Sequence, residues 1–178
     1  MEKEEYAIIL DYLPHGYPLD RKIMPLAQAI GEKNFTLLQL IPRRGVKLDV
    51  DERVYIGDGK REKIYYIQGK LYENKLTEIA KRQLNEFLEK YIGGNEDIFV
   101  KFFNEADAIN TRLHQFELLP GFGKKHTEAI LREREKSPFK SLVDLKDRVM
   151  NLPDPKKAIE KRIVDEITNK EKYILFSR

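Results

Sequence analysis

The chain has 178 residues, of which 41% are hydrophobic and 35% charged, a balance typical of a folded protein with a highly charged surface. It contains no cysteine, which excludes disulfides, thiolate catalysis and cysteine-ligated zinc. No apolar run approaches 18 residues and the mostly acidic N-terminus is unlike a signal peptide, so we expect no membrane span and a cytoplasmic location.

The net charge of +3 is unevenly distributed along the chain. Residues 1–103 carry 17 basic and 17 acidic side chains, whereas residues 104–178 carry 16 and 13. This excess is small, so any affinity for phosphate groups must depend on the local placement of individual lysines and arginines.

Residues 1–76 have the pattern of short strands separated by turns. Apolar runs that fit strands lie at residues 6–10, 35–41, 54–57 and 63–69, with 70–72 as an extension of the last. Asp58-Gly59 is typical of a hairpin turn, and residues 23–30 fit one helical turn or a loop. Short strands with glycine turns favour a small β-barrel of the oligonucleotide-binding (OB) type, because closure hides the sheet edges. An open antiparallel sheet covered by a helix is the alternative.

From Leu76 the apolar residues recur with helical spacing. The residues on the predicted face are Leu76, Ile79, Ala80, Leu84, Phe87, Leu88 and Tyr91. This pattern predicts a connecting helix and linker over residues 77–103, with the helix ending near Gly93-Gly94. Residues 104–168 are predicted to be helical with interruptions at prolines. Residues 169–178 are predicted to form a C-terminal strand, in which Tyr173–Phe176 adds an edge to the barrel.

The most informative run is Leu118-Leu119-Pro120-Gly121-Phe122-Gly123-Lys124-Lys125. It has the pattern of an apolar helix end, a tight glycine turn and the start of a lysine-rich helix. Glycine permits a left-handed turn and a close approach of the backbone to phosphate, and N–H groups at a helix N-terminus bind anions. The residues predicted to bind a nucleic-acid phosphate are Pro120, Gly121, Phe122, Gly123, Lys124 and Lys125, with the Phe122 ring between the two helices.

This run, followed by Ala129 and Ile130, resembles the helix–hairpin–helix motif of DNA repair and replication proteins, although Thr127 stands where that family usually has alanine. A second, degenerate copy follows at residues 149–158. There Asp154 and its flanking prolines replace the glycines, and a carboxylate would repel phosphate. The second copy is therefore expected to be structural, or to contact the backbone only through Lys156 and Lys157.

The helix–hairpin–helix resemblance implies an all-α tandem domain that binds the nucleic-acid backbone. Such binding is largely independent of sequence, because backbone contacts position a protein without reading bases. The same motif also serves as a packing or protein-interaction element, so this alternative stays open.

A second candidate contact lies in the predicted barrel, where Arg43, Arg44, Tyr65 and Tyr66 combine cations with aromatic rings. Proteins that bind single strands stack bases on aromatic side chains beside a basic groove. Alternation along a strand predicts that one tyrosine lies inside and the other outside, where it could stack a base. The alternative is that both rings pack in the protein and the charges solvate turns.

The sequence gives no sign of an active site. The three histidines, His15, His114 and His126, lack metal-site spacing, and the acidic run Asp49, Asp51 and Glu52 fits a solvated surface. We therefore expect neither a metal nor a cofactor.

The predicted fold is α+β: a small N-terminal OB-like barrel joined by a helix to a tandem helix–hairpin–helix domain. This arrangement resembles an uncharacterised archaeal family of small proteins expected to bind RNA. The resemblance implies a non-enzymatic protein that binds RNA or DNA. One alternative is an adaptor that docks onto a repair, transcription or ribosome-associated complex. A nuclease is a third interpretation, but the chain lacks a recognisable catalytic centre.

Overall fold

The computed structural model of the protein describes residues 3–177. In chain order the strands and helices are β1 (Tyr6–Leu13), β2 (Leu26–Gly31), β3 (Leu37–Pro42), β4 (Arg53–Tyr55), β5 (Ile64–Lys70), α1 (Glu78–Gly94), α2 (Glu96–Glu105), β6 (Ala108–Asn110), β7 (Leu113–His114), α3 (Lys124–Lys136), α4 (Leu142–Arg148) and α5 (Pro155–Thr168). The described chain forms two compact units: residues up to Phe87 together with those from Glu166 onward, and Leu88–Asp165. The architecture is mixed α+β, as predicted.

The first unit contains one antiparallel sheet with the strand order β4-β1-β2-β3-β5. Strands β1 to β3 form a meander and β4 returns to pair with β1, which is a Greek-key arrangement. The sheet is curled into a half-barrel whose two edges are β4 and β5. The barrel expected from the sequence is therefore half formed among residues 3–177, since these edges are not hydrogen-bonded to each other.

One face of the half-barrel carries an apolar cluster, called the inner cluster below. Its buried members are Ala7, Ile9, Ala27, Ala29, Leu38, Leu40, Leu48, Val54, Ile56 and Ile64. Full burial of one leucine or isoleucine side chain stabilises a fold by about 1.5–3 kcal/mol. The cluster joins all five strands, so it holds the curl of the sheet.

The hairpin predicted at Asp58-Gly59 is wrong, because β4 pairs with β1 and β5 pairs with β3. The connection between β4 and β5 instead folds back on Tyr55, whose hydroxyl accepts the Gly59 N–H at 3.0 Å. Arg61 Nε donates to the Gly57 carbonyl at 2.8 Å. These side-chain hydrogen bonds stabilise a loop that crosses from one edge of the sheet to the other.

The helical turn or loop predicted for residues 23–30 is also wrong, since Leu26–Gly31 forms strand β2. All six of its residues are buried, and it pairs with β1 on one side and β3 on the other. Ala27 and Ala29 lie in the inner cluster, and Gln28, the residue between them in the sequence, is fully buried. Alanine is depleted from strands, so the strand depends on this two-sided pairing and its sequence signal is weak.

Helix α1 begins where the periodicity predicts, and polar side chains of the sheet fix its start. The Thr77 hydroxyl accepts the Ala80 N–H at 3.0 Å and donates to Asp11 Oδ2 at 2.6 Å. Gln28 accepts the Thr77 N–H at 3.0 Å and donates to the Lys75 carbonyl at 2.6 Å. The helix therefore has an N-cap that is itself hydrogen-bonded to the sheet.

The C-terminal strand predicted over residues 173–176 is wrong. The backbone N–H groups of Leu175, Phe176 and Ser177 donate to the buried Glu166 carboxylate at 2.7, 3.0 and 2.8 Å. A carboxylate that collects three successive N–H groups removes the donors that an edge strand would need. The last predicted residue of this segment, Arg178, lies outside the described residues.

The second unit is mainly helical and contains a cluster of three phenylalanine rings. The Phe103 ring stacks on Phe116 with centroids 5.5 Å apart and lies 6.1 Å from Phe122. Helices α3, α4 and α5 occupy the region predicted to be helical, and the prolines interrupt it as expected. Two details differ: α2 forms where a linker is predicted and extends two residues beyond it, and residues 108–114 contain the short antiparallel pair β6–β7.

Candidate nucleic-acid interface

The turn before α3 has the geometry that its residue types favour. The Phe122 N–H donates to the Leu119 carbonyl at 3.0 Å, which closes a four-residue turn. Pro120 occupies its second position, and Gly121 at the third has φ of +82°. Proline followed by a residue with positive φ is the pattern of a type II turn. A Cβ on Gly121 would also lie 3.2 Å from Pro153 Cγ, so glycine is required for both conformation and space.

Phe122 is a packing residue. Its side chain is only 6% exposed, and its ring lies between those of Phe103 and His126, with centroids 6.1 and 5.9 Å away. The predicted position of this ring inside the helical unit agrees with the structure. Its side chain is therefore not accessible to a ligand.

Some N–H groups around the turn are hydrogen-bonded within the protein, and others have no acceptor among the described residues. Phe122 donates to Leu119, and the Gly123 N–H donates to His126 Nδ1 at 3.1 Å. Within residues 3–177, no acceptor is hydrogen-bonded to the N–H groups of Gly121, Lys124 and Lys125. Gly123 is one of the residues predicted to bind phosphate, but its N–H is not available to a ligand, because the imidazole of His126 accepts it.

His126 connects the two turns of the unit. Since its Nδ1 accepts the Gly123 N–H, the ring proton lies on Nε2, which donates to the Asn151 carbonyl at 3.0 Å. His126 is the third residue of α3, the position from which a side chain reaches back to the N-cap. Sequence reasoning missed this role because glutamate and glutamine, rather than histidine, are the residues typical of that position.

Thr127, the departure from the family pattern, also belongs to this cap. It is buried, and its hydroxyl donates to the Gly123 carbonyl at 3.1 Å. The extra hydroxyl is thus satisfied and does not disturb the helix contact.

The two lysines after the turn differ in whether their ammonium groups form hydrogen bonds and ion pairs within the protein. Lys124 Nζ donates to the Arg112 carbonyl at 2.8 Å and lies 3.3 Å from the Glu117 carboxylate. The His114 N–H, and then Lys124, lower the pKa of Glu117, so this carboxylate is charged beside the turn. Lys125 is exposed and has no ion pair within the described part of the chain. Lys125 is therefore the more accessible cation.

At the second turn, a carboxylate of the turn itself accepts the first N–H groups of α5. Asp154 Oδ1 accepts the N–H groups of Lys156 and Lys157, at 3.0 and 3.4 Å, which caps α5. The Lys156 ammonium lies near the end of α1, where a Cβ added to Gly93 would be 3.4 Å from it. The C-terminal end of a helix attracts a cation, so Lys156 has a structural contact. Lys157 is exposed.

In the first unit, Tyr65 and Tyr66 are both accessible. They are 64% and 38% exposed, and their rings contact each other edge to face at 5.4 Å. The expectation that one would be inside is wrong, because the β3–β5 pairing shifts register between Ile41 and Pro42. As a result, Ile64 and Ile67 both pack on the inner cluster although they are three residues apart.

The two arginines directly follow β3, and Arg43 lies beside the residues that precede edge strand β5. The Arg43 N–H donates to the Lys63 carbonyl at 2.8 Å, and Arg43 Nε donates to the Arg61 carbonyl at 2.8 Å. Arg44 is exposed and has no hydrogen bond or ion pair among residues 3–177. The structure thus brings Arg43 next to the residue that precedes β5, two positions before Tyr65.

The described residues contain neither a metal-binding cluster nor a membrane-spanning helix. No three His, Asp or Glu side chains in residues 3–177 are grouped so that they could hold a metal ion. In the same range, no helix has the length and apolar character needed to cross a membrane.

Comparison with known proteins places the chain in a family. The model of the family described as "Protein of unknown function (DUF655)" matches residues 3–178. The chain belongs to this family. It is 43% identical over 175 residues to the uncharacterized protein MJ0038 of Methanocaldococcus jannaschii, covering 97% of this chain and 79% of that protein.

A solved structure has the same fold. The crystal structure of Af1531 from Archaeoglobus fulgidus, a DUF655 protein, matches with a TM-score of 0.87 and 46% sequence identity. The match covers 98% of this chain and 100% of that one. Membership in an uncharacterised family with archaeal members is therefore confirmed.

Proposed function

We propose that the protein is a non-enzymatic nucleic-acid-binding protein that holds the phosphate backbone of RNA or DNA. The observation that carries the proposal is the turn at Gly121, where the N–H groups of Gly121, Lys124 and Lys125 have no acceptor among the described residues. Such N–H groups hydrogen-bond phosphate oxygens, and the positive end of the α3 dipole favours an anion there.

The finer fold assignments are part of this proposal. We interpret residues 115–136 as a helix–hairpin–helix unit and residues 142–168 as its second copy. The Pro-Gly-Phe-Gly turn, the buried Phe122 and the contact of His126 with Asn151 support this interpretation. We interpret the curled Greek-key sheet as an OB-like barrel left open along one side.

The two copies have different roles in the proposal. At the second turn, Asp154 already occupies the first N–H groups of α5 and adds a negative charge. The first turn offers unoccupied N–H groups and an accessible Lys125. We therefore assign backbone binding to the first copy, with Lys157 as a supporting cation and Lys156 as a packing residue.

The half-barrel adds a second contact in this proposal. Tyr65 and Tyr66 form an exposed aromatic pair, and Arg44 is an accessible cation near the start of β5. Base–aromatic stacking contributes about 1–3 kcal/mol per base and tolerates any base. Binding through both contacts would therefore depend on charge and stacking rather than on sequence.

The experiment is a fluorescence-anisotropy titration against single- and double-stranded RNA and DNA across a salt series. We expect Lys125→Ala to weaken binding and to lower the slope of log K against log salt by about 1, as for the loss of one phosphate contact. Lys124→Ala should have a smaller effect, because Lys124 already pairs with Glu117. Lys140→Ala, which removes an exposed lysine outside the turn, is the matched control.

Gly121→Val tests the backbone directly. Valine at a φ of +82° and close to Pro153 would distort the turn, so affinity should fall while charge is unchanged. Circular dichroism must show that the variant is folded. Unchanged affinity in both folded Gly121→Val and Lys125→Ala would remove the turn from the binding mechanism.

A protein-interaction adaptor is the second candidate function. It is favoured by two apolar side chains of the second unit, Val143 and Met150, which are 68% and 83% exposed. Val143 also lines a groove of about 300 Å³ with Leu142 and Pro155. Co-purification of a protein partner that survives nuclease treatment and is lost in Val143→Asp would favour the adaptor.

A further inference from the structure

A cavity of about 310 Å³ lies on the open side of the half-barrel. Leu38 of β3, Ile56 just after β4 and Ile67 of β5 supply its apolar lining. Arg61, on the loop that crosses between the two edges, and Lys70 at the end of β5 also line it. The cavity therefore exists because β4 and β5 do not pair.

Most polar groups around the cavity are already bonded within the protein. The Glu4 carboxylate accepts the N–H groups of Lys33, Asn34 and Thr36, at 2.9, 2.8 and 3.4 Å. Asp58 pairs with Lys3 at 3.2 Å, and Arg61 Nε donates to a carbonyl. The Asp58 carboxylate is thus paired with a cation, and the Glu4 carboxylate is hydrogen-bonded by three backbone N–H groups.

Three polar groups of the lining remain without a partner in residues 3–177: the ammonium group of Lys70, the hydroxyl group of Thr36 and the terminal guanidinium nitrogens of Arg61, whose Nε alone is hydrogen-bonded. The site thus combines an apolar slot with two cations, Lys70 and Arg61, and one hydroxyl. Its volume is at the lower end of the roughly 300–1,000 Å³ of small-molecule sites, so it suits one ring system. A flat apolar ring that carries hydrogen-bonding edges and an attached anion matches this chemistry.

We propose that this cavity binds one unstacked base of a single-stranded nucleic acid, with Lys70 contacting the neighbouring phosphate. The inference rests on the proposed function and specifies its ligand as a single strand. Bases of a single strand can splay out into pockets, whereas a base in a duplex must first be flipped out, which costs a few kcal/mol.

The position of the exposed tyrosines supports the same ligand. Tyr66 and Lys70 lie on the same strand, and four residues of a strand span roughly 13 Å. A single strand stacked on Tyr65 and Tyr66 and following β5 would therefore reach Ile67 and Lys70 within a few nucleotides. The edge of the sheet then supplies stacking, a base slot and a cation in succession.

The test is methyl NMR of the full-length protein with labelled isoleucine, titrated with single-stranded oligoadenylate and with a blunt RNA duplex of equal length. The ring current of an inserted base should shift the methyl signals of Ile56 and Ile67. Ile8 and Ile30, which lie outside the inner cluster, should not move. Single-strand binding detected by anisotropy with unmoved Ile56 and Ile67 signals would overturn the inference.

Charge reversal gives a second readout. We expect Lys70→Glu to weaken single-strand binding about tenfold and to leave duplex binding unchanged. The control is Lys47→Glu, an exposed lysine of the same unit with no partner among the described residues. Equal losses in both variants would indicate a general charge effect and would contradict a site at Lys70.

A mononucleotide separates this inference from the proposed function. Adenosine monophosphate should shift the Ile67 methyl signal equally in the wild type and in Lys125→Ala, because the cavity does not use the turn. Salt-dependent binding that falls in Lys125→Ala, without any shift of Ile67 by oligoadenylate or the mononucleotide, would retain the turn and exclude the cavity. A shift of the Ile67 methyl signal, with no effect of Lys125→Ala or Gly121→Val on binding, would retain the cavity and exclude the turn.

Discussion

The imidazole of His126 has a hydrogen-bond partner on each ring nitrogen. Nδ1 accepts the Gly123 N–H and Nε2 donates to the Asn151 carbonyl. One side chain therefore caps the helix that follows the first turn and links that turn to the second. The orientation of the Gly121 turn depends on this residue, although the residue itself offers nothing to a ligand.

Two substitutions separate these roles of His126. We expect His126→Ala to lower the free energy of unfolding by about 1–2 kcal/mol, since it removes a cap and a second hydrogen bond. His126→Gln should lose less, because glutamine at this position can still reach the N-cap N–H. Urea denaturation and amide exchange at Gly123 measure both effects. Fast exchange at Gly123 in the glutamine variant would contradict the capping role, and His15→Ala, at an exposed histidine, is the control.

A second histidine makes folding depend on pH. Burial, and then Arg134, lower the pKa of His114, whose Nδ1 accepts the Phe116 N–H at 3.1 Å. In the unfolded chain the imidazole has its ordinary pKa of about 6.5 and takes up a proton first as the pH falls. The stabilisation is therefore complete above that pH and is lost as the pH falls toward the lower folded value.

We expect the free energy of unfolding to decrease between pH 7.5 and pH 5.5, as measured by urea denaturation. His114→Asn keeps a side-chain acceptor and cannot titrate, so its unfolding should depend less on pH in this window. His15→Asn, at an exposed position, should retain the wild-type dependence. An unchanged pH dependence in His114→Asn would assign the effect to other groups.

At the scale of elements, Arg148 holds the connector between α3 and α4. Its guanidinium donates to the carbonyls of Glu133 and Ser137, at 2.5 and 2.8 Å, and pairs with Asp144 at 3.2 Å. It also lies 4.5 Å from the centre of the Phe139 ring. A planar group with several fixed donors can make all these contacts together, whereas an ammonium group cannot.

Arg148→Lys should therefore destabilise the protein by about 1–3 kcal/mol, the range for hydrogen bonds from charged groups. Thermal or urea unfolding of the full chain measures this. Arg132→Lys, an exposed arginine of α3, should change stability by less than about 0.5 kcal/mol. Equal effects of the two substitutions would indicate that the connector contacts contribute nothing.

The elements differ in how far their sequences predict them. Helix α1 and the turn at Pro120-Gly121 are local patterns, so periodicity and residue type suffice. Strand β2 cannot be predicted from a local pattern, because its alanines form a strand only by pairing with β1 and β3 on both sides. The C-terminal segment has strand-like residues, yet the Glu166 carboxylate at the end of α5 accepts its N–H groups. In both cases the structure depends on contacts with other elements, which the pattern of the segment itself does not show.

The candidate site also combines features that the local sequence predicts with features that it does not. The positive φ of Gly121 and the burial of Phe122 follow from the motif itself. The loss of the Gly123 N–H to His126 does not, since histidine is not a typical residue for this cap. The exposure of both Tyr65 and Tyr66 depends on a register shift between two strands, which no local pattern reveals.

At the scale of the whole molecule, the net charge is only +3, so the salt dependence of binding is set by the individual cations that meet phosphates. In the proposed contacts, the accessible cations without partners among the described residues are Lys125 and Lys157 in the second unit, and Arg44 and Lys70 in the first. Each cation that meets a phosphate contributes about 0.9 to the salt slope on duplex DNA and about 0.7 on a single strand.

A duplex held only by the second unit should therefore give a slope of about −2, and a single strand that also follows β5 a slope of about −3. Anisotropy titrations between about 50 and 200 mM salt measure both slopes. Lys70→Glu should bring the single-strand slope to about −2, close to the duplex value, because only three of the four cations then meet the single strand. Equal slopes for the two ligands in the wild type would contradict a separate single-strand contact, and slopes near zero would contradict phosphate binding altogether.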